Sequence, residues 1–566
     1  MKKIYTLLFT IAAFSTSAQT YQWAKNIGSD DTGGYGILSN GIAVDNNGNA
    51  FITGSFNQTV DFDPGSGTAN LTSVGSSDIF FAKYDTDGNF LWAKSIGSTM
   101  SDVAFSITSD ANGNIYVAGY YGEAADFDPG LGTHTLGFNG SQDAFVAKYD
   151  TDGNYLWAIG IGGIEVEQIS KMVIDGSGNV IVAGYFQNTV DFDPGQASAE
   201  LTIIGGGPSG YNLFFAKYSS SGDYVWAKQI PSQTTQVTIA TNASGTVFVA
   251  GSFDSTVDFD PGIGATAFTA TGPSDIFFAR YDAGGTFVYA HAIGGASTTG
   301  GLDKATDIEA DEAGNIYLCG TFGLTADFDP GNGTANLNSI WSGDMFFAHY
   351  DADGNYRWAK NISGDDYAAL RIYIDNNSDI LLSGYYAGTT DFDPGNGLAN
   401  LTVVGNTDLF FAKYDNSGNY LSAQGTGNIY GSDQVSDLAT DNNGNIYVTG
   451  MFVGNADFDM GNGTETLTTA IAFGQDVFIA KYTEGPVGNV ENNITLLTLY
   501  PNPSAGIFTI KQEPNLPIGY SVSDITGRTI ESGTLGQNKT TIDLSQTESG
   551  MYFLKTENQT SKLIKQ

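Results

Sequence analysis

The chain has 566 residues, enough for several average domains. Aromatic residues make up 13% and charged residues only 15%, with 74 glycines, which suits many short strands joined by tight turns. A formal net charge of −39 argues against nucleic acid, whose phosphates need Lys and Arg, and against anionic membrane surfaces, while favouring solubility and cations.

Residues 1–18 read as a secretory signal peptide. Lys2 and Lys3 form its basic start, Tyr5 to Phe14 its apolar stretch, and Thr16-Ser17-Ala18 a small-residue cleavage site. That stretch is too short to cross a bilayer, and no later run reaches ~20 apolar residues, so no transmembrane segment is expected.

From residue 19 to residue 483 one unit is written seven times. Asp-Phe-Asp-Pro-Gly begins at Asp61, Asp126, Asp191, Asp258, Asp327, Asp391 and Asp457, the last copy carrying Met460 for proline. Successive copies are 65, 65, 67, 69, 64 and 66 residues apart, the mark of a repeat architecture. In the second copy Phe105 to Asp110 alternates, Ala111-Asn112-Gly113 turns the chain, and Asn114 to Tyr120 runs back. After the aspartate segment come Ala144 to Tyr149, the turn Asp150 to Asn154, and Tyr155 to Ala158. Each unit thus predicts four strands, apolar on both faces, as a small sheet covered on both sides requires. Such units packed around an axis form a β-propeller. The seventh unit stops after Phe478 to Tyr482 and lacks a fourth strand, while a spare copy, Tyr21-Gln-Trp-Ala-Lys25, follows the leader. The expected fold is therefore all-β, a seven-bladed propeller closed by this early strand, since an open array would leave unpaired edges.

These units resemble the bacterial β-propeller repeat family often labelled SBBP. The resemblance rests on the stretches Asp110 to Gly119 and Asp78 to Gly88 and their seven-fold recurrence. It implies a propeller and no defined activity. Residues 484–493 form a polar linker. Residues 494–566 depart from the repeat and are near neutral, with six basic residues against six acidic ones, so the acidity belongs to the repeats. They resemble the C-terminal sorting domain of type IX (Por) secretion cargo, through Leu499 to Gly506, Val522 to Arg528, Ile542 to Leu544, Ser549 to Phe553 and Lys562 to Lys565. The resemblance implies a small immunoglobulin-like β-sandwich, the secretion machinery as partner, and a secreted or surface-attached product.

The aspartate segments are the first candidate site. Asp61 and Asp63 point to one side of an extended segment and Phe62 to the other. The same holds for Asp126 and Asp128, Asp191 and Asp193, Asp258 and Asp260, Asp327 and Asp329, Asp391 and Asp393, and Asp457 and Asp459. Two readings compete: a type II turn at Asp63-Pro64-Gly65 with aspartates capping backbone N–H groups, or weak calcium sites, since hard cations favour carboxylate oxygen. The turns of the Asp85 to Asn89 kind read as hairpin turns with glycine at positive φ. A further acidic set, Asp102, Glu167, Asp303 and Asp433, has two readings: groups that rim the central channel and attract cations, or, the favoured one, solvated loop ends. Cys319 occupies a small buried strand slot and His134, His291 and His349 lack an obvious nucleophile to serve. No catalytic residue or required cofactor is assigned. The expectation is a monomeric, non-catalytic module binding extracellular glycan or protein; the rival is a glycan-active hydrolase or lyase on the same scaffold.

Overall fold

The computed structural model describes residues 19–28, 36–484 and 496–566, apart from breaks at 206, 208–209, 296–302, 340–342, 365–370, 376, 429–430, 462, 472–473, 514–517, 526–527, 536–539 and 557–559. The expected leader and nearly all of the expected linker lie outside the described residues. Among the described residues every long element is a β-strand and none is an α-helix. Two compact units separate between Gly485 and Pro486.

The larger unit contains seven four-stranded antiparallel sheets. In the second, Val103–Ser109, Ile115–Tyr121, Asp143–Tyr149 and Tyr155–Ile161 follow one another from strand one to strand four. Strands two and three are buried on both faces, which is why Val, Ile, Phe and Tyr occupy both sides of their pleat. Gly113, at φ 78°, makes the hairpin turn between strands one and two. Gly119 is required by close approach, because a Cβ there would sit 2.0 Å from the Val103 carbonyl oxygen.

Each sheet packs on the next through its own apolar core. The core between sheets two and three draws Val146 and Ile161 from one and Val182 and Phe214 from the other. Two recurring polar contacts fix the geometry. The indoles of Trp92, Trp157, Trp226 and Trp358 each donate to a turn carbonyl of the following sheet, on Thr151, Ser220, Ala283 and Asn416, at 3.1–3.3 Å. Seven buried tyrosines, Tyr84, Tyr149, Tyr218, Tyr281, Tyr350, Tyr414 and Tyr482, each donate to the carbonyl of the phenylalanine in their own Asp-Phe-Asp segment at 2.8–3.1 Å.

The seventh sheet is completed by Gln19–Ile27, which pairs antiparallel with Gln475–Glu484. Its Trp23 repeats the indole latch, donating to Thr86 of the first sheet at 3.0 Å. Ile27, Val477 and Ile479 share a core with Ile52 and Phe80 of that sheet. Each first strand touches the next, and the first strand of sheet seven, Gln434–Thr440, touches that of sheet one, Ile37–Val44. The set of sheets therefore closes on itself.

One element goes beyond the four strands read from sequence. In every unit the aspartate segment enters a short antiparallel ribbon, as Thr59–Asp61 pairs with Asn70–Thr72. In the sixth unit the ribbon runs on from strands Ile380–Asp391 and Asn400–Tyr414.

The smaller unit has a three-stranded sheet, whose strands include Ile507–Glu513, and a four-stranded sheet, whose strands include Gly550–Thr556. Phe508, Ile510 and Ile542 of the first meet Val522, Leu554 and Leu563 of the second in one core. Lys565 is buried, and its ammonium donates to the carbonyls of Leu544 at 2.8 Å, Ser545 at 2.9 Å and Thr547.

Candidate functional site

The aspartate segments fold as the alternation required. Phe62 is fully buried, while Asp61 and Asp63 are half-buried. Asp61 Oδ1 accepts from the backbone N–H of Asp63 at 3.1 Å and of Ala69 at 2.7 Å, and Asp63 Oδ1 accepts from Gly65 at 2.8 Å. The same bonds recur from Asp126 and Asp128 through Asp457 and Asp459. The type II turn is corrected: Gly65 is not among the residues at positive φ, and the bend is instead an Asx turn closed by the Asp63 carboxylate. Six copies carry glycine two residues beyond the Gly65 position, as Gly67 does, while the third carries Ala197 and keeps the same bonds. Each pair is thus anchored by backbone donors. No group of three or more His, Cys, Asp or Glu side chains that could hold a metal ion gathers among the described residues.

The second acidic set is also corrected. Asp102, Glu167, Asp303 and Asp433 are at most 2% exposed. They sit where one sheet passes to the next. Asp102 accepts from Ser98, which follows the fourth strand of sheet one, and from Gly122, which follows the second strand of sheet two. Burial pushes Asp102 up to about 6, Asp303 and Asp433 to about 7, and Glu167 to about 8.

Charges that do meet near the axis were not singled out from the sequence. One first-strand slot, opposite the small residue of strand two, holds Gly41, Ser106, Lys171, Thr238, Asp307, Arg371 and Asp437. Lys171 reaches Asp307 at 3.7 Å and Asp437 at 4.0 Å, and Arg371 reaches Asp437 at 3.7 Å, so sheets three, five, six and seven are linked across the ring. Burial works against the Lys171 charge, but Asp307 and Asp437 outweigh it and hold its pKa above the ordinary value. Comparing that slot across the seven copies would have revealed the charges.

A cleft of about 860 Å³ lies between sheets two and three, within the size range of ligand pockets. His134, Tyr155, Trp157, Tyr224, Asp191 and Asp193 line it, with Asp143 and Asp223, and no Lys or Arg. The sequence explains why this junction opens. On the fourth strand, the slot filled by Lys25, Lys94, Lys228 and Lys360 in four copies and by His291 and Gln424 in two holds the apolar Ile159 here. Those lysine stems lie over the turn glycine of the next sheet, as Lys94 does over Gly153 and Lys228 over Gly285, whereas the nearest neighbour of Gly222 is the Trp157 ring. The neighbouring Gly160 leaves room for the Tyr121 hydroxyl, since a Cβ would come within 2.6 Å of it. His134 replaces the small Ala69, Ala199, Ala335 or Ala399 of other copies and stacks on Tyr155, centroids 4.9 Å apart.

His134 thus lies in this cleft, while His291 and His349 pack among aromatic rings with pKa values lowered by burial. Cys319 is fully buried, and burial pushes its thiol far up, in keeping with the small strand slot.

Comparison with known proteins gives the class first. Residues 422–451 match the family model described as Beta-propeller repeat, SBBP, and residues 498–566 match Secretion system C-terminal sorting domain. The chain therefore carries SBBP-type propeller repeats and a type IX sorting domain, which addresses it to the secretion machinery. Among curated proteins it is 27% identical over 557 residues to an uncharacterized WD repeat-containing protein of Acanthamoeba polyphaga mimivirus, covering 85% of this chain and 39% of that protein. It is 25% identical over 150 residues to regulatory protein FlaEY of Caulobacter vibrioides, covering 26% and 15%. The chain thus spans well under half the length of these relatives. Solved structures with similarity include a protein of unknown function from Bacteroides caccae (14% identity, 60% of this chain and 91% of that one, TM-score 0.28). They also include PorZ of Porphyromonas gingivalis (10%, 96% and 100%, 0.16) and Bacillus licheniformis rhamnogalacturonan lyase PL11 (10%, 72% and 76%, 0.24). No helix among the described residues is long and apolar enough to cross a membrane.

Proposed function

We propose that this chain is a seven-bladed β-propeller, followed by an immunoglobulin-like sorting domain. It is exported by type IX secretion and acts at or beyond the cell surface as a monomeric, non-catalytic binding module. The cleft between the second and third blades is its ligand site. The observation that carries this reading is the departure of one junction from the repeat: Ile159 stands where four copies carry lysine and two carry His291 or Gln424, and His134 adds a ring to Tyr155. Aromatic faces with carboxylates and no basic group suit neutral sugars or basic peptides better than polyanions. The test is a panel of neutral glycans, polyuronates and peptides, read for binding and for product. Binding without turnover, lost in His134→Ala and Tyr155→Ala, is the expected result. Turnover abolished by a single Asp or His substitution would establish the enzyme instead. The aspartate pairs of the seven loops act on this reading as loop formers. Asp61→Asn with Asp63→Asn therefore leaves the calcium dependence of melting unchanged, and a loss of that dependence would make them calcium ligands.

A further inference from the structure

Among the described residues, junctions between consecutive sheets differ in what answers a buried polar residue early in strand three. Six residues before its buried tyrosine, strand three carries Asp78, Asp143, Asp275, Asp344, Asp408 or Asp476, and Asn212 in the third unit, each at most 3% exposed. At three junctions a side-chain amide on the fourth strand answers it. Asn361 donates to Asp344 at 3.0 Å, Asn26 donates to Asp476 at 3.0 Å, and Asn212 pairs with Gln229 at 2.8 Å. At the other four, that fourth-strand slot holds Ser95, Gly160, Ala292 or Gly425, and a second buried acid faces the junction: Asp102, Glu167, Asp303 or Asp433.

Three of these acid pairs have a defined register. Parallel bridges join Ser77 to Ser101, Gln142 to Val166 and Thr407 to Ser432. The next residues along, Asp78 with Asp102, Asp143 with Glu167 and Asp408 with Asp433, therefore lie side by side on one face of two adjoining segments. Backbone bonds hold that register, from Asp102 N to Ser77 O at 2.8 Å, Glu167 N to Gln142 O at 2.9 Å and Asp433 N to Thr407 O at 3.1 Å. All six carboxylates are at least 98% buried. Asp78 Oδ1, Asp143 Oδ1, Asp408 Oδ1 and Glu167 Oε1 are buried without a hydrogen-bond partner. The space against the strand-three carboxylate is kept by glycine: a Cβ on Gly97, Gly162 or Gly427 would come within 2.0–2.3 Å of Asp78, Asp143 or Asp408.

Two buried carboxylates in register, one with an orphaned oxygen, need positive charge between them. Among the described residues no fourth-strand amide meets Asp78 or Asp143, whereas at the third pair the Asn428 amide donates to both oxygens of Asp433, at 2.8 and 2.9 Å, and leaves Asp408 Oδ1 unanswered. We propose that the pairs Asp78/Asp102, Asp143/Glu167 and Asp408/Asp433 are divalent-cation sites that clamp consecutive blades together, distinct from the exposed aspartate loops. The donors are oxygen only, which selects a hard ion such as calcium over zinc. Two carboxylates balance its charge, and backbone carbonyls or water complete its shell. Asp275 and Asp303 repeat the residue pair at a fourth junction.

The experiment uses the full secreted chain, with calcium and terbium as probes. Elemental analysis and terbium luminescence sensitised by tyrosine count bound ions. Melting is followed in calcium and in chelator at constant ionic strength. The expected result is at least three ions per chain and a higher melting temperature in calcium. Asp143→Asn with Glu167→Gln, which gives one junction the neutral character of Asn212, removes one ion and reduces the calcium-dependent shift. The same variant melts no lower than the parent in chelator, because the repulsion is gone, and this separates ion loss from misfolding. Asp61→Asn with Asp63→Asn leaves the ion count unchanged. The proposal is overturned if no ion binds and calcium leaves melting unchanged, as a shared proton would give. It is equally overturned if the ion count survives the junction variant and falls in the loop variant.

Discussion

Replacement of Trp23 by alanine tests whether the blades form a closed ring. Trp23 stands on the strand Gln19–Ile27, more than 400 residues from the rest of its sheet, and its indole does what Trp92 does one junction later. It donates to the Thr86 carbonyl at 3.0 Å and meets Tyr447 edge-on with centroids 6.2 Å apart. A tryptophan buries about 150–250 Å² when fully enclosed, worth roughly 4–6 kcal/mol at about 25 cal/mol per Å². Trp23 is half-buried, so Trp23→Ala is expected to cost about 2–3 kcal/mol, the carbonyl left behind being rehydrated. Trp92→Ala, equally half-buried, is expected to cost the same. Urea titration followed by circular dichroism gives both, as a fall of about 1 M in midpoint for a slope of about 2–3 kcal/mol/M. If Trp92→Ala lowers the midpoint and Trp23→Ala does not, the early strand is not docked and the ring is open.

Deleting residues 19–27 should expose the edge of Gln475–Glu484 and shift the protein toward aggregates in size-exclusion chromatography; an equally stable monomer would contradict closure. Tyr218→Phe strips the buried Phe192 carbonyl of its donor and is expected to cost about 1–3 kcal/mol by the same titration, with no loss pointing to a dispensable staple. Cys319 should resist thiol reagents in the native protein and react once it is unfolded; rapid native labelling would contradict its burial. Lys565→Met should lower the melting temperature of the sorting domain, since three carbonyls lose one ammonium, while the propeller transition stays in place.

The repeat period, the four strands of each unit and the strand displaced to residues 21–25 were all legible in the sequence. They follow from local rules: alternation, turn glycines and one motif at a fixed interval. The burial of Phe62 opposite Asp61 and Asp63 was legible for the same reason, because an extended segment has only two sides. What local rules do not contain is which residues of different units meet. The acids at Asp102, Glu167, Asp303 and Asp433 looked like solvated loop ends because loops are usually wet, yet the joining of consecutive sheets buries them against backbone donors. Lys171 and Asp437 are 266 positions apart, and only closure of the first strands brings them to 4.0 Å. The cleft at Tyr155 and His134 likewise depends on a side chain that is missing, the lysine replaced by Ile159. A missing side chain acquires meaning only when the neighbouring sheet is in place to show the space it leaves. Periodicity determined the blades, and tertiary packing decided what lies between them.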